Sequence, residues 1–147
     1  MIREATETDL PRCVEMGRHF WRASGYAAII AENPAQMLAI GERLVSEPNG
    51  VLFVADLDGA LVGMIGMLIF PHHLSGELTA GELFWWVEPS HRGLGVRLMR
   101  RAEVWAVAHG AVAIQMIAPV ADASIGRVYE RLGYVAIETG YQRRVAT

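Results

Sequence analysis

One segment gathers groups that bind anions: Val87-Glu88-Pro89-Ser90-His91-Arg92-Gly93-Leu94-Gly95-Val96-Arg97-Leu98. It reads as the end of a strand, a Gly-rich turn and the start of a long helix. Free backbone N–H groups at a helix start, opened up by glycines, form a cradle for an anion. A tight turn without a ligand has the same local signature. The arginines tip the balance toward a ligand. Arg92, Arg97, Arg100 and Arg101 crowd the first turns, where the helix dipole disfavours cations. A bound phosphate group resolves that conflict through charge-assisted bonds, and Arg97, in the first turn, is its best direct partner. The segment lacks the Gly-Lys-Ser/Thr of a P-loop, and Leu98 stands where a dinucleotide fingerprint has its third glycine.

Other reactive side chains point to simpler roles. His72-His73 with Glu77 has metal-binding residue types, but neighbouring histidines on an extended chain point to opposite sides, so a loop is expected and no metal. Cys13 falls on the apolar face of a helix and reads as core.

The whole chain limits what the segment can serve. Its 147 residues fit one domain, expected to span residues 1–147. The 52% hydrophobic content excludes a disordered chain. A net charge of -3 argues against a dedicated nucleic-acid binder, since phosphate neutralisation needs excess Lys and Arg. A single cysteine excludes an internal disulfide and fits a reducing compartment. The N-terminal MIREATETDL lacks the apolar core of a signal peptide. The longest unbroken apolar stretch, ALVGMIGMLIF, is too short for the roughly 20 residues of a membrane helix. A cytoplasmic protein without membrane or nucleic-acid partners is expected. The mean hydropathy of +0.25 then implies a buried sheet or a contact between copies, such as a homodimer.

The elements that position the segment follow from periodicity. Ile2-Arg3 reads as an edge strand. Thr8 or Asp9 caps a helix that tolerates Pro11 in its first turn, with Leu10, Cys13, Val14, Gly17 and Trp21 at helical spacing. Asn33-Pro34 starts a second helix, ended by Pro48-Asn49-Gly50. VLFVAD and ALVGMIGMLIF flank Leu57-Asp58-Gly59, a strong hairpin signal. ELFWWVE is a strand and 96–109 a helix, closed by Gly110 in the left-handed conformation. AVAIQMI reads as a buried strand, 124–132 as a short helix closed by Gly133, and YVAIE with YQRRV as a final antiparallel pair around Gly140. The order is β-α-α-β-β-β-α-β-α-β-β, an α/β class with a mixed sheet and helices on its faces. ELFWWVE, the following helix and AVAIQMI form one crossover unit, so those two strands should be parallel.

With the segment and its elements in place, the chain resembles the GNAT superfamily of N-acetyltransferases. Arg92-Gly93-Leu94-Gly95-Val96-Arg97 is similar to that family's Gln/Arg-x-x-Gly-x-Gly/Ala loop, with Arg97 in place of the small residue. The run from Asp122 through Ser124, Tyr129, Glu130 and Gly133 to Tyr134 is similar to Asn-x-x-Ala-x-x-x-Tyr-Glu-Lys-x-Gly-Phe, with Asp122 for Asn and Ile125 for Ala. The motifs come in the family's order, and the likeness runs from Ile2 to Val145.

The resemblance implies transfer of an acetyl group from acetyl-CoA to a primary amine, by direct attack in a ternary complex. Backbone amides around Gly93, Leu94, Gly95, Val96, Arg97 and Leu98, with Arg92, would hold the CoA diphosphate, and Asp122 and Ser124 belong to the same cofactor motif. The strand carrying Trp85, Trp86 and Val87 would splay from its parallel neighbour and bond the pantetheine arm. A backbone N–H near Trp86 or Val87 would face the developing oxyanion. Tyr129 would protonate the leaving thiolate, since a phenol near pKa 10 is protonated at neutral pH. Glu82, on an otherwise apolar strand, would take the proton of the incoming ammonium if burial raises its pKa. His19, Trp21 and Tyr26 lie where the family shapes its acceptor pocket, so a small-molecule or peptide amine is the expected partner. A non-catalytic acyl-CoA-binding module and a plain nucleotide-binding domain are the competing readings.

Overall fold

The computed structural model describes residues 1–146. Five strands form one sheet in the order of the chain: β1 (Ile2–Glu4), β2 (Gly50–Leu57), β3 (Ala60–Pro71), β4 (Leu78–Val87) and β5 (Ala113–Gln115). The first four pair antiparallel and β4–β5 pair parallel. Four α-helices accompany the sheet: α1 (Leu10–Ala23), α2 (Pro34–Ser46), α3 (Gly95–Ala108) and α4 (Ala123–Arg131), of which the first three pack on it.

Two apolar clusters explain the layers. Val51, Phe53 and Ala55 of β2 join Ile65, Met67 and Val87 beneath Leu98, Ala102, Trp105 and Ala106 of α3. Leu52 and Val54 point the other way, onto Leu10, Cys13 and Met16 of α1 and Leu44 of α2. A strand buried on both faces reads as a continuous apolar run, which is why VLFVA shows no alternation.

The local signals account for most boundaries. The Asn33 side chain accepts from Gln36 N and starts α2 ahead of Pro34. Asp58 and Gly59 take φ of 53° and 93° and turn β2 into β3. Asp9 does not cap α1 with its side chain. Its carboxylate binds the Arg3 guanidinium at 2.7 Å, tying β1 to the helix start, and that pairing holds the Asp9 carboxyl down at about 2.

Two expectations fail, and the loop expected at His72-His73 forms with a different side-chain arrangement. The AVAIQMI strand shrinks to Ala113–Gln115, and Val112 and Ile117 on either side are exposed. The final antiparallel pair is not formed, because 134–146 carry no strand. A lone hairpin needs a third strand or a helix over its apolar face, and β5 stops too early to supply one. His72 and His73 do not diverge; the chain turns there, and their rings stack 4.7 Å apart. Among the described residues no helix is long and apolar enough to cross a membrane.

Candidate active site

The site begins where β4 and β5 part. Their pairing covers only Thr79↔Ala113, Ala80↔Ile114 and Gly81↔Gln115. Past Gly81 the strands splay, and the Glu82 side chain crosses the gap: Ile117 N–H donates to Glu82 Oε2 at 3.0 Å. Tyr129 of α4 reaches the same residue, its hydroxyl donating to the Ile117 carbonyl at 2.9 Å. The two expected proton-transfer residues therefore meet on one backbone unit at the mouth of the fork.

Their environments push both toward the protonated form. Burial raises the Glu82 carboxyl to about 7, against the opposing bonds from the Ile117 amide and Tyr129. Burial, then the nearby Glu82 charge, raises the Tyr129 phenol well above its usual value. Trp85 stacks on Tyr129 with ring centres 5.9 Å apart. Tyr134 packs on its other side at 5.7 Å and donates to Glu103 Oε1 at 2.8 Å, which fixes α4 against α3.

The Gly-rich turn follows β4 directly. Pro89–Leu94 forms a short 3-10 turn that runs into α3. Gly95 N–H is spent on the Arg92 carbonyl, so the amides that follow it in the first turn, at Val96 and Arg97, are those α3 offers to an anion. The two glycines do different work. A Cβ at Gly95 would sit 2.9 Å from the Trp85 ring, so the small residue lets α3 close onto β4. A Cβ at Gly93 would meet nothing within 4 Å, so the backbone there is open to a ligand. That open backbone, with an exposed Arg97, fits a diphosphate.

The arginine cluster is looser than its spacing suggests. Arg92 stacks over the Trp86 ring at 4.7 Å. Arg100 leans toward Glu103 at 4.0 Å. Arg101 turns away from the loop and lies 4.7 Å over the Phe53 ring. Arg92 and Arg97 are left to serve the loop. Trp85 and Trp86 face opposite sides of β4, as expected of neighbours on a strand. Both indole N–H groups are buried without an acceptor among the described residues, so each keeps a donor beside the splayed strand. Asp122 is the N-cap of α4 and accepts from Ser124 N at 3.0 Å. The two residues thus close on each other and orient the helix that carries Tyr129.

The acceptor candidates divide. His19 Nδ1 lies 2.9 Å from Glu88 Oε1, and its ring meets Trp86 edge-on at 6.4 Å. Trp21, in the last turn of α1, and Tyr26, in the turn after it, stack on each other at 5.5 Å. Only His19 joins the β4 end. Glu88 was not singled out by the sequence, yet it receives both Arg12 and His19 at 2.9 Å and pins α1 to the strand end. A carboxylate just before Pro89 was the available signal.

No curated protein sequence matches significantly. Solved structures do. A transcriptional regulator from Bacillus halodurans C-125 is 25% identical, with 99% of each chain covered and a TM-score of 0.80. The aminoglycoside N-acetyltransferase AAC(6')-Iy, solved with the bisubstrate analogue CoA-S-monomethyl-acetylneamine, is 19% identical, with 100% of this chain and 98% of that one covered and a TM-score of 0.79. A ribosomal-protein-alanine N-acetyltransferase from Brucella melitensis biovar Abortus 2308 is 18% identical, with 99% of each chain covered and a TM-score of 0.73. At such identities the last two show the shared fold. The family model described as Acetyltransferase (GNAT) family matches residues 14–134, across the splayed strands, the loop and Tyr129, and the chain belongs to that family.

Proposed function

We propose that this chain, as one unit over residues 1–147, is an N-acetyltransferase that moves an acetyl group from acetyl-CoA to a primary amine in a ternary complex. The observation that carries the reading is the fork: β4 leaves β5 after Gly81, and Glu82 and Tyr129 converge on Ile117 beside an open Gly-rich turn. Acetyl-CoA would supply the activated acyl group as a thioester. The free amides at Val96 and Arg97, the open backbone at Gly93 and the Arg92 and Arg97 side chains hold the diphosphate. Asp122 and Ser124 shape the start of α4 next to it. Trp85, Trp86 and Val87 offer backbone groups to the pantetheine arm, and an N–H near Trp86 or Val87 faces the thioester oxygen.

Two side chains handle protons. Glu82, with a carboxyl near 7, is about half ionised at neutral pH and takes a proton from the incoming ammonium, directly or through water. Tyr129 stays protonated and gives its proton to the departing thiolate, after its hydroxyl leaves the Ile117 carbonyl. His19, at the end of β4, faces the acceptor side, which takes a small-molecule or peptide amine, and the Trp21–Tyr26 stack lies farther along the same helix end. Release of free thiol from acetyl-CoA against a panel of amines tests this reading. A non-catalytic acyl-CoA-binding module is the alternative, and the Tyr129 hydroxyl already engaged at Ile117 is what favours it. Saturable CoA binding with no thiol release for any amine would select it.

A further inference from the structure

The helix that carries Tyr129 is loosely seated. Of α4, only Tyr129 is buried. Among the described residues, one side-chain hydrogen bond leaves α4 for another part of the chain, from the Tyr129 hydroxyl to the Ile117 carbonyl at 2.9 Å. Ile117 lies past the end of β5, in chain without regular structure, and is 48% exposed. That bond therefore ties the helix to a loop and not to the core.

A second phenol makes the firmer tie. Gly133 takes φ of 92° and turns the chain back at the end of α4, so that Tyr134 N–H donates to the Tyr129 carbonyl at 3.0 Å. The Tyr134 ring then lies 5.7 Å from the Tyr129 ring, and its hydroxyl donates to Glu103 Oε1 at 2.8 Å. Glu103 belongs to α3, whose Leu98, Met99, Ala102, Trp105 and Ala106 are buried. Burial, and then Glu103, raises the Tyr134 phenol above its usual value, so the hydroxyl keeps its proton and stays the donor. A hydrogen bond to a charged acceptor is among the stronger kinds. The Gly-Phe that ends the family's motif is Gly133-Tyr134 here, so this chain adds a hydroxyl at that place.

We propose that Tyr134, braced by Glu103, is a positioning residue for the acid Tyr129. Tyr129 must release the Ile117 carbonyl before its O–H can turn to the leaving sulfur. At that moment the Tyr134–Glu103 bond still fastens this end of α4 to a packed helix. The Tyr129 ring stays between Trp85 and Tyr134 while its O–H turns. Tyr134 acts through Tyr129 and transfers no proton itself. Its effect therefore falls on turnover and not on the binding of acetyl-CoA. This role rests on the acetyltransferase reading, whereas the fastening of α4 does not.

The variants Tyr134→Phe, Glu103→Ala and Glu103→Gln, and Tyr134→Phe combined with Glu103→Ala, test it. Tyr134→Phe removes one hydroxyl and leaves the ring, and Glu103→Gln keeps an acceptor oxygen. Glu103→Ala also loses the Arg100 contact at 4.0 Å, which Tyr134→Phe keeps, so agreement between the two isolates the bond. Hydrogen exchange of the segment 123–134, read by mass spectrometry on the full chain, follows the fastening without substrate. Tyr134→Phe and Glu103→Ala should each speed exchange about tenfold, and the combined variant should match either one, because both changes break the same bond. Glu103→Gln should stay close to wild type. Thiol release should follow the same order, with turnover down about tenfold in Tyr134→Phe and Glu103→Ala, KM for acetyl-CoA unchanged, and turnover recovered in Glu103→Gln. Exchange unchanged by Tyr134→Phe, or effects that add in the combined variant, would overturn the fastening. Faster exchange with unchanged turnover, or a rise in KM in place of a fall in turnover, would overturn the positioning role. A wild type that releases no thiol would remove that role together with the acetyltransferase reading, and the exchange rates would still decide the fastening.

Discussion

At the scale of single residues, the proposed chemistry rests on Glu82 and Tyr129. Glu82 titrates near 7 because the fold buries it. The rate should therefore rise with pH through about 7, and Glu82→Gln should flatten that limb; an unchanged limb removes Glu82 as the base. The same burial affects stability. A carboxyl raised from 4.5 to about 7 binds its proton more tightly in the folded state. Its contribution is full below 4.5 and is lost as pH rises through 7. Glu82→Gln should thus gain about 3 kcal/mol relative to wild type between acidic and mildly basic pH, read by denaturant unfolding. Tyr129→Phe should lower turnover roughly a hundredfold and leave CoA affinity nearly unchanged. Cys13 marks the opposite case: burial pushes its thiol up to about 12, and it should resist thiol reagents until the chain unfolds. Residue types and motif spacing put forward Glu82, Tyr129 and the loop, and the two side chains meet at Ile117. They did not reveal Glu88, because its partners Arg12 and His19 are distant in sequence. Nor did they show Arg101 turning onto Phe53, since spacing on a helix gives a face without saying what lies under it.

At the scale of elements, the strand–turn–helix unit of β4 and α3 separates two roles that look identical in sequence. Gly93→Ala should fold normally, because nothing occupies the added Cβ, and should weaken CoA binding about tenfold in a calorimetric titration. Gly95→Ala should lower stability by about 1–3 kcal/mol as well, since its Cβ presses on Trp85. Equal melting temperatures for the two variants would contradict this division. Most element boundaries were readable because local chemistry sets them: Asn33-Pro34 for α2, Asp58-Gly59 for the hairpin, Gly110 and Gly133 for helix ends. The short β5 was not, because an apolar run does not state how far its neighbour stays beside it. The Glu82 side chain bridges the splayed pair to Ile117, a contact that no local pattern encodes.

At the scale of the whole molecule, the strand order follows the chain, and two helical layers enclose the central strands. That layering was legible from the alternation of elements and from the β-α-β crossover. The fate of the tail was not. Its pattern says strand, but 134–146 form none, because β5 stops too early to back the pair. The account as a whole rests on the turn after β4 being a diphosphate site that serves acyl transfer. Calorimetric titration of wild type and Gly93→Ala with CoA examines this most directly. Saturable heat with wild type, weakened about tenfold in the variant, is the predicted result. No saturable heat with wild type, or equal affinity in both, would contradict it.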